Sequence, residues 1–231
     1  MTISPCGAWF AAGFSNRVVR LYDAYGNERG TSLDSLDVKS VCIAPDGSWF
    51  MAIRRQSVEL YAADGEHKNS IFPTSGLPNS VQVAGNGTLI AIVTLAQTVE
   101  LYSPNGRLAG IIQNSSGALR SVIVAPDGSW VATVLAGMTG LEVKLWNPDG
   151  GARYAFPLEV SAIAASPDGA GIATISPDGI VNLWDPAHLP ARSGTRIAGS
   201  PRFLTWFSDG CRLAIGTDIG MNVFSIHSDI S

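Results

Sequence analysis

The sequence SVIVAPDGSWVATVL, residues 121–135, contains the feature that decides the fold. Its centre, Pro126-Asp127-Gly128, suits a tight turn, because proline fixes φ at the second turn position and glycine accepts a positive φ. The aspartate side chain can also bond the neighbouring backbone. Apolar and β-branched residues run from Ser121 to the turn and on to Leu135. The stretch therefore predicts a β-hairpin.

The same hairpin recurs along the chain. Its turn glycine stands at six positions, 40 or 41 residues apart: Gly7, Gly47, Gly87, Gly128, Gly169 and Gly210. Each turn is followed by a second landmark, an apolar and then an aromatic residue: Leu21-Tyr22, Leu60-Tyr61, Leu101-Tyr102, Leu145-Trp146, Leu183-Trp184 and Val223-Phe224. Two landmarks that keep one period of about 40 residues predict six consecutive propeller-type repeats.

The repeats resemble those of the WD40 family over essentially the whole chain. The resemblance lies in VCIAPDGSWFMAI (41–53), VIVAPDGSWVATV (122–134) and AIAASPDGAGIATISPDGIVNLWD (162–185). The Trp-Asp pair occurs once, at Trp184-Asp185, and the three histidines are out of register with the repeat. The resemblance implies four antiparallel strands per repeat, here termed a, b, c and d in chain order, without the family's complete His-Asp-Ser/Thr-Trp network.

We therefore expect an all-β fold, a six-bladed WD40-like β-propeller, in a single domain over residues 1–231. The repeats cover approximately residues 1–34, 35–75, 76–115, 116–157, 158–199 and 200–231. The sixth repeat ends soon after its strand c. Its blade is therefore predicted to lack the outer strand, which would leave an open or incomplete ring.

The missing strand makes Asn222, Val223 and Phe224 a candidate binding site for a protein partner. An unpaired strand edge presents N–H and C=O groups with which another chain can pair. Three interpretations stay open here. A partner polypeptide adds a strand to this edge, the chain is a fragment of a longer gene product, or residues 228–231 fold back over the edge.

A second candidate site follows from placing charges on the repeat. Strand a begins at one end of each blade, here called the top, and the b–c loops lie at the same end. Basic residues at these positions predict a collar: Arg17, Lys39, Arg54, Arg55, Arg120 and Arg202. The turns at the other end carry mainly aspartates. Because clusters of like charge steer and orient partners, the collar predicts docking of an acidic peptide on the top face.

Composition and charge narrow the classes of function. The net charge is −4, so binding to nucleic acid is not expected. No apolar run approaches the roughly 18 residues of a membrane span, and the N-terminus lacks the basic and apolar parts of a signal peptide. We expect no membrane partner and a cytoplasmic location. The three cysteines lack CxxC spacing and are expected to be small buried residues in a reducing compartment.

No catalytic, cofactor-binding or metal-binding residue is predicted, and the chain is not expected to be an enzyme. It lacks a G-x-S-x-G elbow, a glycine-rich phosphate loop and a regular ligand spacing for zinc or calcium. Aspartate recurs in the a–b turn, where capping of the turn explains it: Asp46, Asp127, Asp168 and Asp209. Tryptophan recurs two residues after the turn glycine, where a packing role is expected: Trp9, Trp49 and Trp130.

The predicted function is that of a non-enzymatic scaffold, a subunit of a larger assembly that mediates protein–protein interactions. The alternative is a recognition or regulatory module of a longer signalling or enzyme polypeptide. Both interpretations depend on the family resemblance, because a fold does not by itself fix a function.

Overall fold

A computed structural model describes residues 1–13, 18–34, 38–113, 117–137, 141–156, 160–189 and 193–226. These residues contain no helix and form antiparallel strands in six sheets. In each sheet the strands follow one another in chain order, so that every sheet is a meander. The architecture confirms the predicted all-β, six-sheet, propeller-like fold class. The arrangement of the sheets as a ring stays a prediction.

The first three sheets contain four strands each. The first consists of β1 (Thr2–Ile3), β2 (Trp9–Gly13), β3 (Val18–Asp23) and β4 (Glu28–Asp34). The second consists of β5 (Ser40–Ile43), β6 (Trp49–Ile53), β7 (Val58–Ala62) and β8 (His67–Ile71). The third consists of β9 (Pro78–Val83), β10 (Ile90–Thr94), β11 (Thr98–Tyr102) and β12 (Leu108–Gln113).

The fourth and fifth sheets also have four strands, and the sixth has three. The fourth consists of β13 (Leu119–Val124), β14 (Val131–Ala136), β15 (Leu141–Trp146) and β16 (Ala152–Ala155). The fifth consists of β17 (Ala162–Ala165), β18 (Ile172–Ile175), β19 (Ile180–Trp184) and β20 (Ser193–Arg196). The sixth consists of β21 (Pro201–Trp206), β22 (Arg212–Thr217) and β23 (Gly220–Ser225). Among the described residues the sixth sheet thus lacks strand d, as predicted, and residues 227–231 lie outside the description.

The hairpin turn between strands a and b has the predicted geometry. The Gly128 amide donates to the Ala125 carbonyl at 2.9 Å, and Asp127 Oδ1 accepts from the Ser129 amide at 3.0 Å. All six turn glycines have φ between +68° and +77°, a region that glycine enters without steric cost. The repeat of the turn residues in sequence therefore corresponds to a repeat of backbone conformation.

The chain divides by its internal contacts into two compact groups of residues. The first group holds residues 1–114 and 148–150, and the second holds residues 115–147 and 151–231. Sheets one to three lie in the first group and sheets four to six in the second. The single-domain organisation stays a prediction.

Within each group, neighbouring sheets pack face to face through apolar side chains. We call the side that packs on the next sheet along the chain the forward face, and the opposite side the backward face. The forward face of the fifth sheet consists of Ala162, Ala164, Ala173, Ile175, Val181 and Leu183. It packs on the backward face of the sixth sheet, which consists of Leu204, Trp206, Leu213, Ile215 and Phe224. These contacts form the core of this part of the second group.

Two of the repeated tryptophans connect neighbouring sheets. The Trp9 indole donates to the carbonyl of the next turn glycine, Gly47, at 3.0 Å. The Trp130 indole makes the same bond to Gly169 at 2.9 Å. Both tryptophans are buried, and the half-buried Trp49 packs against the core shared by the second and third sheets. The packing role expected for this position is confirmed.

Candidate interaction surfaces

The basic residues predicted to form the collar differ in side-chain exposure and in their hydrogen bonds. Arg17 lies outside the described residues. Arg54 is half-buried, and its Nη2 donates to the Tyr61 hydroxyl at 3.2 Å. Lys39 is exposed, with Nζ at 3.5 Å from the Pro78 carbonyl. Arg55 is also exposed in the first group, as are the two collar residues of the second group, Arg120 and Arg202. The acidic-peptide site stays a prediction.

The predicted edge site divides between two sides of the sixth sheet. Phe224 packs on the core shared with the fifth sheet, and Asn222 is half-buried on the same side. Val223 points the other way and is 48% exposed, as alternation along a strand requires. Met221, which sequence reasoning did not select, lies beside Val223 and is 65% exposed. The signal in the sequence was the alternation of side chains along a strand. Because Phe224 points inward, Met221, three residues earlier, points outward.

The backbone of β23 has an open side. The Ile226 amide donates to the Cys211 carbonyl at 2.7 Å across the β22–β23 ladder. Because successive residues of a strand direct their N–H groups to opposite sides, Asn222 and Phe224 face β22, whereas Met221 and Val223 face away from it. Within the described part of the chain, no strand pairs with that outer side of β23.

A cleft in the second group collects the a–b turns of three sheets. Its volume is about 930 Å³, and Trp184 and Trp206 form part of its wall. Four aspartates line it: Asp127, Asp168, Asp185 and Asp209. The a–b aspartates bond within their own turns. Asp168 accepts from the Ser166 hydroxyl at 2.5 Å, and this bond lowers the pKa of its carboxyl. The capping role expected for these aspartates accounts for their positions.

Two buried glutamates were not selected by sequence reasoning. Glu100 accepts from the amide and the hydroxyl of Ser75, both at 2.5 Å, and from the Tyr102 hydroxyl. Burial raises the pKa of Glu100, but these hydrogen bonds outweigh it and hold the net pKa below its usual value. Burial and the bond to Glu100 raise the pKa of Tyr102.

Glu59 occupies the equivalent position in the second sheet. It accepts from Ser57 at 2.6 Å and bonds His67 at 2.9 Å and the Ser70 hydroxyl. Burial opposes ionisation here too, and the hydrogen bonds again lower the net pKa of the carboxyl. Because each carboxylate accepts hydrogen bonds from side chains of its own sheet and of an adjoining loop, both glutamates serve the fold. In the described ranges, no three His, Cys, Asp or Glu side chains are grouped to hold a metal ion.

The expectation that the cysteines are buried is wrong for two of the three. Cys6 and Cys211 are exposed, and Cys42 is half-buried. The physical reason is the repeat itself, since Cys6 precedes the turn glycine Gly7 and Cys211 follows Gly210. The backbone hydrogen bond of Ala8 lowers the pKa of the Cys6 thiol, whereas burial raises that of Cys42.

Part of the polar network implied by the family resemblance is present in two sheets. The Trp146 indole donates to Thr133 Oγ1 at 2.9 Å in the fourth sheet. The Trp184 indole donates to Thr174 Oγ1 at 2.7 Å in the fifth. In both sheets the bond joins the end of strand c to strand b. These sheets thus retain the tryptophan–threonine half of the network.

Comparison with protein families matches a part of the chain. Residues 155–185 match the model of the family described as "WD domain, G-beta repeat". The matched segment contains the first three strands of the fifth sheet and ends at Trp184-Asp185. Comparison with curated proteins gave no significant match. Within the described ranges, the chain contains no apolar helix long enough to cross a membrane.

WD40 repeats in general mediate protein interactions and are generally not enzymes. The matched segment supplies one such repeat, and the same hairpin turn and meander sheet recur before and after it. One WD40 repeat is thus matched at residues 155–185, and the all-β architecture of the described residues is consistent with further WD40-like repeats.

Proposed function

We propose that the chain is a non-enzymatic scaffold, a cytoplasmic subunit of a larger assembly, and that a partner adds a β-strand to the open side of β23. The observation that carries this proposal is the edge at Met221 and Val223, which no strand of the described residues pairs. Their N–H and C=O groups face away from β22, and their apolar side chains are 65% and 48% exposed. A strand added there would satisfy the backbone groups and cover apolar surface.

A proline at Val223 tests the proposal directly. Proline removes an N–H that points away from the sheet, so the ladder between β22 and β23 keeps its hydrogen bonds. Ala155→Pro is the matched control. Ala155 lies on the outer strand of a complete sheet, and its neighbour Phe156 donates inward to Val143 at 3.0 Å.

The measurement is retention of partner proteins by the tagged chain isolated from its source cells. Val223→Pro should lower retention at least about tenfold, the equivalent of about 1.4 kcal/mol, whereas Ala155→Pro should not change it. Hydrogen exchange of the Met221 and Val223 amides should be fast in the isolated chain and slow in the complex. Equal retention by both variants, with unchanged exchange at these amides, would contradict strand addition.

The proposal extends to an acidic partner segment on the basic side chains of the top face. Exposed Arg55 supports it in the first group, and exposed Arg120 and Arg202 support it in the second. Two separate double variants test it: Arg54→Ala with Arg55→Ala, and Arg120→Ala with Arg202→Ala. Loss of retention that grows with salt would support an electrostatic contact. Full retention of every partner by both double variants would contradict it.

A further inference from the structure

One position of the repeat has no side chain in the fifth sheet. Two residues after the turn glycine, the first, second and fourth sheets carry tryptophan, and the third and sixth carry Leu89 and Arg212. The fifth sheet carries Gly171. In the first and fourth sheets the indole donates to the carbonyl of the next turn glycine. In the fifth, a cleft is lined by both Gly171 and the next turn glycine, Gly210.

We propose that this cleft binds a tryptophan side chain of a partner polypeptide, whose indole donates to the Gly210 carbonyl. The partner's ring takes the place that Trp130 takes between the fourth and fifth sheets. All residues that line the cleft belong to the second compact group. The inference goes beyond the proposed function, because the cleft is separate from the outer side of β23.

The backbone around Gly171 matches that around Trp9. The Gly171 amide donates to the Ser166 hydroxyl at 2.7 Å, as the Trp9 amide does to the Ser4 hydroxyl at 3.1 Å. The carbonyls of Gly171 and Trp9 accept from the amides of the same two serines, both at 2.9 Å. The φ of Gly171 is not positive, so its conformation admits a side chain. The fifth sheet thus keeps the backbone of the tryptophan position and lacks the ring.

The acceptor of the missing hydrogen bond is present on the sixth sheet. Gly210 is equivalent to Gly47 and Gly169, whose carbonyls accept from Trp9 and Trp130. Gly47 and Gly169 are buried, whereas Gly210 is half-buried. Within the described ranges, no N–H or O–H group donates to the Gly210 carbonyl. The acceptor is therefore present without its donor.

The cleft has room for the ring and an aromatic wall beside it. Its volume of about 930 Å³ lies within the range of ligand sites. The Trp206 ring lies 3.6 Å from the position that a Cβ would take on Gly171, and its N–H donates to the Ala164 carbonyl at 3.2 Å. Trp206 therefore does not supply the bond to Gly210. Its ring offers a surface on which a second aromatic ring packs favourably.

The charges of the cleft specify what flanks the tryptophan. Four carboxylates and one guanidinium line it: Asp127, Asp168, Asp185, Asp209 and Arg153. A second guanidinium, that of Arg212, pairs with Asp209 at 2.7 Å. Negative charge is thus in excess, which favours lysine or arginine beside the tryptophan. Because the cleft extends along the turns of three sheets, we assign its occupant to a basic polypeptide segment that contains a tryptophan.

Calorimetric titration of the full chain with blocked tripeptides tests this assignment. The probe is lysine–tryptophan–lysine. One matched peptide has leucine in place of tryptophan and lacks the ring, and another has 1-methyltryptophan and lacks only the N–H donor. A third has glutamate in place of both lysines. Nuclear Overhauser contacts from the peptide indole locate it, with Gly47 as the control glycine because Trp9 occupies the equivalent site there.

Two substitutions at one position provide matched variants. Gly171→Trp supplies the ring from the chain itself and should abolish binding of the tryptophan peptide. Gly171→Ala adds only a methyl group and should change the affinity by less than about twofold. If Gly171→Trp does not fold, the 1-methyltryptophan peptide still tests the hydrogen bond, because it leaves the protein unaltered.

The tryptophan peptide should bind with contacts to Gly171 and Gly210 and none to Gly47. Methylation of its indole nitrogen should weaken binding about fivefold, as loss of one hydrogen bond predicts. The leucine and glutamate peptides should bind at least about tenfold more weakly. Equal affinity of the leucine peptide, or no binding at millimolar concentration, would overturn the indole site.

Two further results would overturn the assignment to a partner polypeptide. The first is free indole that binds as tightly as the tryptophan peptide, because a small molecule would then suffice. The second is peptide binding that appears only after removal of residues 227–231, because this segment of the chain would then be the occupant. Each result is independent of strand addition to β23, which the proline variants test.

Discussion

The fifth and sixth sheets present the same face of the same repeat to different surroundings. Val181 on the fifth sheet is 7% exposed, whereas Met221, which follows it by one period on the sixth sheet, is 65% exposed. The two faces have similar amino-acid composition, since both are mainly apolar. The difference shows that the neighbour, and not the strand's own composition, decides whether a repeat face is core or surface.

The largest expected effect comes from placing a charge on each face. Ile175→Asp puts an unpaired carboxylate into the core between two sheets and should lower the free energy of unfolding by more than about 4 kcal/mol. Phe203→Asp changes an exposed position and should lower it by less than about 1 kcal/mol in the isolated chain. Urea unfolding of the two purified variants measures the difference. Similar losses for both would show that the sixth sheet's forward face is already packed.

A smaller effect tests how neighbouring sheets are joined. Trp130→Phe removes the indole that donates to Gly169 and leaves that carbonyl without its buried donor. The expected loss is about 2–3 kcal/mol from the hydrogen bond and the smaller ring. Trp49→Phe is the control, because within the described residues its indole makes no hydrogen bond, and about 1 kcal/mol is expected. An equal loss for both would contradict the role of the bond.

The turns were predictable from sequence because their chemistry is local. Pro126, Asp127 and Gly128 specify a turn through their own φ values and side chains, and the period then placed five more turns. The same argument could have predicted the exposure of Cys6, because Cys6 lies next to the turn glycine Gly7. The prediction from composition alone, that Cys6 is buried, was wrong.

Other features depend on residues distant in sequence. Glu100 is buried because Ser75, 25 residues earlier, donates hydrogen bonds to it. No residue near Glu100 in the sequence predicts that donor. The exposure of Met221 depends on what packs against its face, and residues near it in the sequence do not show this. The edge at Val223 was predicted from strand counting, but its division into an inward and an outward side required the register of β22 and β23.

A third test compares two equivalent positions whose polar side chains are buried to different extents. Glu100 in the third sheet corresponds to Asn222 in the sixth, two residues before the aromatic landmark. Glu100→Gln removes the charge that accepts from Ser75 and should cost about 1–2 kcal/mol at neutral pH. Asn222→Ala should cost less than about 0.5 kcal/mol. Thermal unfolding at pH 7 compares them, and an equal cost would contradict the difference in polar burial.

The effect of Glu100 on stability at low pH can be predicted in direction. Because the net pKa of Glu100 is lower in the folded protein than its usual value of 4.5, its contribution is present above that value. The contribution is lost as the pH falls through the folded-state pKa. The stability of Glu100→Gln should therefore fall less than that of the original chain between about pH 5 and pH 2. Parallel acid curves for the two proteins would contradict a charged, hydrogen-bonded Glu100.

The smallest expected effect concerns the open face itself. Met221→Ser should change the free energy of unfolding of the isolated chain by less than about 0.5 kcal/mol, because the side chain has few contacts to lose. It should reduce self-association at high concentration, since exposed apolar patches promote it. Sedimentation velocity over a concentration series measures this. Increased self-association of the variant would contradict an open apolar face.

Methionine oxidation tests the central claim most directly, because the chain carries its own reference residues. Met51, on the forward face of the second sheet, is fully buried, and Met1 is 83% exposed. In the isolated chain, Met221 should oxidise at a rate close to that of Met1. In the assembly purified from source cells it should become as protected as Met51. A Met221 that stays as reactive as Met1 in the assembly would contradict the account, because the edge of β23 that carries it would then have no partner.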